Sequence, residues 1–100
     1  MSAYTFYLGH NNAADLQLSE NGTTVNHALI TRVVFEMETG RTNIDSTASP
    51  TLFTLGQSDR ITLKFGSAGL AVGTYSARLI TYDATNTNGI AWGDVNFVVR

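Results

Sequence analysis

The stretch Arg60-Ile61-Thr62-Leu63-Lys64-Phe65 alternates strictly between polar and apolar side chains. In an extended chain its apolar members share one side: Ile61, Leu63 and Phe65. This period of two predicts a β-strand with one buried face and one face in water. Similar short runs, rich in β-branched and aromatic residues and separated by Asn, Gly and Ser, recur along the chain and are typical of an all-β protein.

Five more segments are predicted as strands: 4–8, 14–18, 51–55, 75–82 and 90–99. The run from Tyr75 to Tyr82 carries apolar bulk on both of its faces, so we expect a central strand that is covered on both sides. Asn21-Gly22 predicts a tight hairpin turn, because these two residues supply the positive φ that a type I′ turn needs. Asn88-Gly89 repeats the signal before the last strand.

Residues 29–38 fit two patterns. Apolar residues lie there at helical spacing, with Asn26 as a possible N-cap and Gly40 as a possible residue after the helix end. The segment 30–35 is nevertheless rich in β-branched residues, which lose side-chain freedom in a helix. Val33, Phe35 and Met37 also alternate with their neighbours, so a strand is favoured over a helix.

The chain has 100 residues, of which 43% are hydrophobic and 14% charged, so residues 1–100 are expected to form one globular domain. It has no cysteine, which excludes disulfides and thiolate metal sites. We expect an antiparallel β-sandwich of seven or eight short strands with an immunoglobulin-like architecture. Its core should contain the apolar members of the strongest strands: Phe35, Leu63, Phe65, Tyr75, Leu79 and Phe97.

Charge and hydropathy argue against two classes of partner. The net charge is −2 and the six basic residues are scattered rather than clustered, which makes nucleic acid an unexpected partner. No stretch approaches the ~20 apolar residues that span a bilayer, and the first residues lack the features of a signal peptide. We therefore expect no contact with nucleic acid or membrane.

No residue pattern indicates catalysis, a cofactor or a metal. Glu36 and Glu38 are expected to share a solvated strand face, and His10 is expected in an exposed turn. Neither His10 nor His27 has a third ligand at metal-binding spacing. The loop from Asp83 to Gly89 does not match a calcium-binding loop, because the obligatory glycine falls one position late. The sequence predicts a protein that is not an enzyme.

Trp92 lies in a strand whose apolar residues change parity. Ile90 and Trp92 share one side, whereas Val95 and the apolar residues after it share the other. A β-bulge at Gly93-Asp94 would bring both sets to one face, which favours Trp92 as a core residue. The alternative is that Trp92 and Tyr82 are exposed aromatic rings on which a sugar stacks.

Several segments in order carry a resemblance to a known family: Val33 to Met37, a polar loop with Asp45, Asp59 to Phe65, Gly73-Thr74-Tyr75-Ser76-Ala77-Arg78-Leu79, Asp83 to Gly89, and Val95 to Val99. The chain resembles the small β-sandwich proteins of tailed-phage virions, in particular the amino-terminal domain of phage baseplate upper proteins. Those larger proteins continue into further domains, so the end at Arg100 favours a free-standing virion component. The resemblance implies no catalytic residues.

The expected function is that of a structural or accessory virion protein, in the capsid or the tail, assembled in the host cytoplasm with other virion proteins or with many copies of itself. The long polar segment 39–50, with one brief extended piece around Ile44, supplies the candidate assembly loop: Thr42, Asn43, Ile44, Asp45 and Ser46. The amino-terminal segment through Ala13 is a second candidate for ordering against a neighbouring subunit. The alternative function is a carbohydrate-binding or adhesion module.

Overall fold

The structure, a computed structural model, describes residues 4–38 and 41–100, and in these the chain is predominantly β. Ten strands follow one another: β1 (Tyr4–Phe6), β2 (Ala14–Leu16), β3 (Ser19–Glu20), β4 (Thr23–Thr24), β5 (Ile30–Glu36), β6 (Ile44–Asp45), β7 (Phe53–Thr54), β8 (Ile61–Leu63), β9 (Gly73–Asp83) and β10 (Ile90–Val99). The helical elements in these residues are three single-turn 3₁₀ helices: His27–Leu29, Pro50–Leu52 and Phe65–Ser67. None of the described helices is long and apolar enough to cross a membrane.

Two sheets share one hydrophobic core. The larger sheet has the order β1-β10-β9-β5-β6, and the smaller has the order β2-β8-β7; β3 and β4 form a separate hairpin. Buried side chains from both sheets belong to a single cluster, including Phe35 and Phe97 from the larger sheet and Ile61 and Leu63 from the smaller. The all-β prediction is confirmed.

The arrangement of strands differs from the prediction in three ways. The described residues form ten strands rather than seven or eight, and β9 and β10 are long, with 11 and 10 residues. The sheets are not purely antiparallel, because β1 pairs with β10 in parallel, with Tyr4 opposite Phe97. In the segment 51–55 only Phe53–Thr54 is a strand, because Pro50 starts a 3₁₀ turn before it.

In the segment 60–65, where polar and apolar side chains alternate, the strand β8 ends at Leu63. Phe65 lies in the following 3₁₀ turn, yet its side chain is 1% exposed and occupies the middle of the core. Its ring centroid lies between 4.9 and 5.5 Å from the rings of the four other phenylalanines of the chain: Phe6, Phe35, Phe53 and Phe97. All six predicted core residues are buried.

The first predicted turn is confirmed and the second is different. Asn21 and Gly22 have φ of 53° and 80°, as a type I′ turn between β3 and β4 requires. Between β9 and β10 the connection is six residues long, and Asn88 does not have positive φ. Asp83 determines this loop, because its carboxylate accepts hydrogen bonds from the backbone N–H groups of Thr85 and Asn86 at 2.9 and 2.7 Å.

Within the segment 29–38 the residues Ile30–Glu36 form a strand, as favoured, and this strand is β5, which lies between β9 and β6 in the larger sheet. Asn26 does cap a helical turn, but only the single 3₁₀ turn His27–Leu29, where its side chain accepts from the N–H of Ala28 at 3.2 Å. The predicted polar segment begins at Thr39, and the helical alternative places Gly40 after the helix end. Both residues lie outside the described part of the chain.

A β-bulge in β10 is confirmed, one position earlier than predicted. The register with β9 shifts between Ala91 and Gly93, which makes Trp92 the extra residue. Its indole N–H donates to the Thr81 hydroxyl at 2.9 Å, and Thr81 is buried on the core side of β9. Trp92 is half-buried against the core, so the bulge brings it to the same side as Val95.

Gly66 holds the amino-terminal segment against the core. A Cβ atom at this position would lie 2.3 Å from the carbonyl oxygen of Tyr7 and 2.4 Å from that of His10. The Gly66 carbonyl accepts the N–H of Gly9 at 2.9 Å, and the N–H of Leu8 donates to the Arg100 carbonyl at 2.8 Å. The exposed segment between β1 and β2 is therefore tied down at its start.

We expect Phe65→Ala and Phe97→Ala each to lower the free energy of unfolding by ~3–5 kcal/mol, because either change leaves a cavity among the packed rings. Urea unfolding followed by tryptophan fluorescence measures the loss. Val72→Ala, at a position that is 64% exposed, is the control and should change stability by less than about 0.5 kcal/mol. A loss below about 1 kcal/mol at either phenylalanine contradicts this account of the core.

We expect Gly66→Ala to lower the free energy of unfolding by about 1–3 kcal/mol, because the added methyl group overlaps two backbone carbonyls that cannot rotate away. The φ of Gly66 is not positive, so steric overlap alone would cause the loss. Ser67→Ala, at the exposed neighbouring residue, is the control. Equal stability of the two variants would show that the segment 7–10 moves away from Gly66 freely.

Candidate functional site

The larger sheet has one face on the core and one face that is directed away from the core. We call the second the outward face. It follows from the alternation in β5 and β9, since Val33, Phe35, Tyr75, Ala77 and Leu79 belong to the core and the residues between them do not. The central residues of the outward face are Arg32, Val34 and Glu36 on β5, Asp45 on β6, Arg78, Ile80 and Tyr82 on β9, and Ala91 and Asp94 on β10.

Arg32 connects three strands at one end of this face. Its guanidinium forms a two-point ion pair with Asp45 of β6, with Nε donating to Oδ1 at 3.1 Å and Nη2 donating to Oδ2. The guanidinium carbon also lies 4.9 Å from the centre of the Tyr82 ring, which is the cross-strand neighbour of Arg32. Such a cation–π contact holds the flat guanidinium over the ring.

The ion pair changes the titration of both partners. Hydrogen bonds from Arg32 hold the pKa of Asp45 below its ordinary value, helped by the N–H of Thr47, which donates to Asp45 at 2.9 Å. The same pairing raises the pKa of Arg32. The pair is therefore ionised throughout the physiological range.

The middle of the outward face is apolar. Val34 of β5 lies opposite Ile80 of β9, and Ala91 of β10 lies on the other side of Ile80. Val34 is only 6% exposed although it does not belong to the core cluster. Gly89 packs against Ile80 and Tyr82 so closely that a Cβ there would lie 2.7 Å from the Ile80 side chain. Glycine at this position lets the connection between β9 and β10 lie directly against Ile80 and Tyr82.

The other end of the face carries a second set of charges. Glu36 of β5 lies opposite Arg78 of β9, and their side chains form an ion pair at 3.5 Å. Asp94 of β10 lies on the other side of Arg78, and these residues line a shallow depression of about 360 Å³ together with Glu38. Glu36 and Glu38 are both exposed, as predicted.

The predicted assembly loop is largely held by its own chain. Ile44 and Asp45 form β6, which confirms the extended piece predicted around Ile44. Ile44 and Ser46 are buried, and the Ser46 hydroxyl accepts the N–H of Val33 at 2.9 Å. Asn43 accepts the N–H of Met37 at 2.9 Å. The segment is thus an ordered edge strand rather than a free loop. The side chains of Asn43 and Ser46, on either side of it, are hydrogen-bonded to the backbone of Met37 and Val33.

Thr42, Asn43 and Ile44 also line a cleft of about 440 Å³ at the open side of the core, between β6 and the segment 68–70. Arg41 lies at this cleft with its guanidinium carbon 4.9 Å from the centre of the Tyr75 ring. A part of the predicted loop therefore lies beside a cleft, while Asp45 belongs to the outward face. Their role in assembly stays a prediction.

Tyr82 and Trp92, the two candidate binding aromatics, lie on opposite sides of the larger sheet. Tyr82 is on the outward face under Arg32, whereas Trp92 bonds to Thr81 on the core side. They cannot form one stacking platform. Instead, the structure brings Tyr82 together with Asp45 through Arg32, a residue that the sequence did not single out.

The two histidines lie in different surroundings, one buried and one exposed. His27 is 1% exposed, its Nε2 accepts the N–H of Leu18 at 2.9 Å, and its Nδ1 lies 3.4 Å from the Ser58 carbonyl. It is a structural residue that joins three segments of backbone. His10 is exposed, as predicted. In residues 4–38 and 41–100 no group of three or more His, Cys, Asp or Glu side chains could hold a metal ion.

The Asp83 carboxylate is occupied by its own loop. Besides the two backbone bonds already described, the Asn86 side-chain amide donates to both of its oxygens at 3.1 Å. The hydrogen bonds from the side chain and backbone of Asn86 lower the pKa of Asp83. This pattern is that of a polar loop closed on itself.

Comparisons of this chain with known protein families, with curated proteins and with solved structures find no match.

We expect Asp45→Asn to destabilise the protein at neutral pH and to have less effect in acid. Because the pKa of Asp45 is lowered in the folded state, its carboxylate stabilises the fold above its ordinary pKa of 3.8 and loses this effect as the pH falls further. Urea unfolding at pH 7 and near pH 3 measures the difference. Asp59→Asn, in an exposed pair 3.5 Å from Arg60, is the control. A difference that stays constant with pH contradicts the proposed pairing.

Proposed function

We propose that this protein is a non-enzymatic structural subunit that assembles with other protein subunits through its outward face. The resemblance drawn from the segments around Val33, Tyr75 and Val95 makes a tailed-phage virion the setting of this proposal, in either the capsid or the tail. Assembly in many copies would multiply the strength of each single contact.

The observation that carries the proposal is the composition of the outward face. It has an apolar centre, in which Val34 is buried, Ile80 is half-buried and Ala91 is exposed. Paired charges lie on both sides of this centre, at Arg32–Asp45 and Glu36–Arg78. Protein interfaces have this plan, with an apolar middle and a polar rim. The sequence predicts that the strand 75–82 is covered on both sides; the core covers one side, and on the other Gly89 covers part of Ile80 and Tyr82. A partner subunit would supply the rest of the second cover.

The geometry of the face also suits a protein partner better than a small ligand. The Arg32 guanidinium is already held by Asp45 and Tyr82, so ordering it on binding costs little entropy. The depression at Glu36, Arg78 and Asp94 on this face is shallow. Flat surfaces with pre-ordered side chains bury little of a small molecule, whereas a second flat surface can contact all of them.

We propose the immunoglobulin-like sandwich as the architecture that presents this face. In such folds one sheet contains strands B, E and D and the other contains C, F and G. The orders β2-β8-β7 and β5-β9-β10 support this assignment. Tyr75, at the start of β9, donates its hydroxyl to the Ala71 carbonyl at 2.6 Å, as does the tyrosine that marks the start of strand F. The pairing of β1 with β10 is the departure from that plan.

The non-enzymatic part of the proposal is supported by what the candidate catalytic groups already do. His27 is buried with both ring nitrogens directed at backbone groups, and Asp45 and Asp83 are engaged by hydrogen bonds within the chain. A general base must be within reach of a substrate proton. These side chains serve the fold instead.

The test is to introduce Ile80→Asp into the protein and measure its incorporation into particles produced from the genome that encodes the chain. Thr74→Asp is the matched control, because Thr74 is exposed on the same face of the same strand, about 20 Å away. We expect quantitative mass spectrometry of gradient-purified particles to find the unchanged protein and Thr74→Asp, but at least about tenfold less Ile80→Asp.

Two results would contradict the proposal. Absence of the unchanged protein from purified particles would exclude the virion setting. Equal packaging of Ile80→Asp and Thr74→Asp would exclude the outward face as the docking surface. Circular dichroism of both variants shows whether each one is folded before the comparison is made.

A further inference from the structure

We propose that the partner on the outward face is a second copy of this chain, related by a two-fold axis that runs along the apolar row Val34–Ile80–Ala91. This inference rests on the proposed function, since it names the partner of the same face. In an isologous contact of this kind the same patch is used by both copies, so the patch must be complementary to itself.

The register of β5 and β9 arranges the face in three rows that cross the strands. Arg32 and Tyr82 form the first row, Val34 and Ile80 form the second, and the third contains Glu36 and Arg78. Ala91 extends the second row onto β10 and Asp94 extends the third. Each row is two residues from the next, about 7 Å along the strands.

A two-fold axis along the second row exchanges the first row with the third. Arg32 of one copy then faces Glu36 of the other, which joins opposite charges. Arg78 of one copy faces Tyr82 of the other copy. This position permits a cation–π contact between the two, in addition to the contact of Tyr82 with Arg32 of its own copy. Ile80 and Ala91 meet their own counterparts, which buries the apolar surface that they leave exposed, and Val34 lies next to them at 6% exposure. Every row therefore meets a row that suits it.

Asp45 lies at the end of the second row, opposite Val34, and the axis would bring it towards its own counterpart. Its charge is already compensated by the two-point ion pair with Arg32 of the same copy. The Arg32 of each copy then lies between its own Asp45 and the facing Glu36, so that positive and negative charges alternate along this side. Arg78, paired with Glu36, compensates the remaining negative charge.

The size of the face predicts a weak dimer. Four strands about 4.8 Å apart and about six residues long cover about 400 Å² in each copy. A stable interface buries about 800 Å² in each partner, so this contact belongs with weak and transient ones. It would form at high protein concentration, or where many copies are held close together by further contacts.

The first experiment uses two opposite charges at the axis. Sedimentation velocity at increasing concentration should show that the unchanged protein dimerises, whereas Ile80→Asp and Ile80→Lys alone each dimerise at least about tenfold more weakly, because like charges meet at the axis. An equimolar mixture of the two variants should recover the dimer, since the introduced carboxylate of one chain then faces the introduced ammonium group of the other. Thr74→Asp and Thr74→Lys are the matched controls and should behave as the unchanged protein.

The second experiment locates the axis. The chain has no cysteine, so Ile80→Cys and Ser76→Cys each introduce a single reactive thiol. A short bismaleimide that spans the ~10 Å between packed sheets should link two Ile80→Cys chains. Ser76 lies on the same face of β9, four residues from the axis, so two Ser76→Cys thiols would be about 26 Å apart and should not be linked.

Three outcomes would overturn the inference: an unchanged protein that stays monomeric at millimolar concentration, a mixture of Ile80→Asp and Ile80→Lys that stays monomeric, or equal linking of Ser76→Cys and Ile80→Cys. Failure here is distinguishable from failure of the proposed function. If Ile80→Asp is lost from particles although the unchanged protein does not self-associate, the outward face docks a different protein, and only the identity of the partner is wrong.

Discussion

The contact of Phe65 with the four other phenylalanines is the interaction on which the rest of the structure depends. These rings come from β1, β5, β7 and β10, so one side chain outside any strand joins both sheets. Most of the ring pairs are tilted or edge-to-face, the arrangement in which aromatic quadrupoles attract. With no disulfide to hold the sheets together, this cluster performs that task.

The outward face is a consequence of this core. Because Phe35 and Leu79 belong to the core, the alternation of side chains along β5 and β9 places the residues next to them in each strand on the opposite face. Val34 and Ile80 must then turn outward although they are apolar. Val34 is already buried by its neighbours at 6% exposure, so the apolar surface that remains for a partner belongs to the half-buried Ile80 and the exposed Ala91.

The local sequence pattern predicts features that lie within one strand or turn, such as which side chains are buried. It does not predict contacts that depend on how two strands pair. The alternation around Leu63, the turn at Asn21-Gly22 and the burial of Phe97 follow from neighbouring residues and are confirmed. The meeting of Arg32 with Asp45 and Tyr82 depends on the register between three strands, for which alternation within each strand carries no information. The parallel pairing of β1 with β10 likewise depends on a contact between residues far apart in the sequence, since the ring of Phe6 packs against that of Phe97.

The pairing of β1 with β10 has a consequence for how the chain folds. Tyr4 lies opposite Phe97, so almost the full length of the chain separates the two partners of this ladder. Loops of that size close slowly, and folds rich in such distant pairs fold in milliseconds to seconds rather than microseconds. During synthesis Phe6 leaves the ribosome early, yet two of the rings against which it packs belong to Phe65 and Phe97. The β1 segment therefore stays unpaired until β10 has been synthesised. In that interval the β1 segment of one chain can pair with the β10 strand of another.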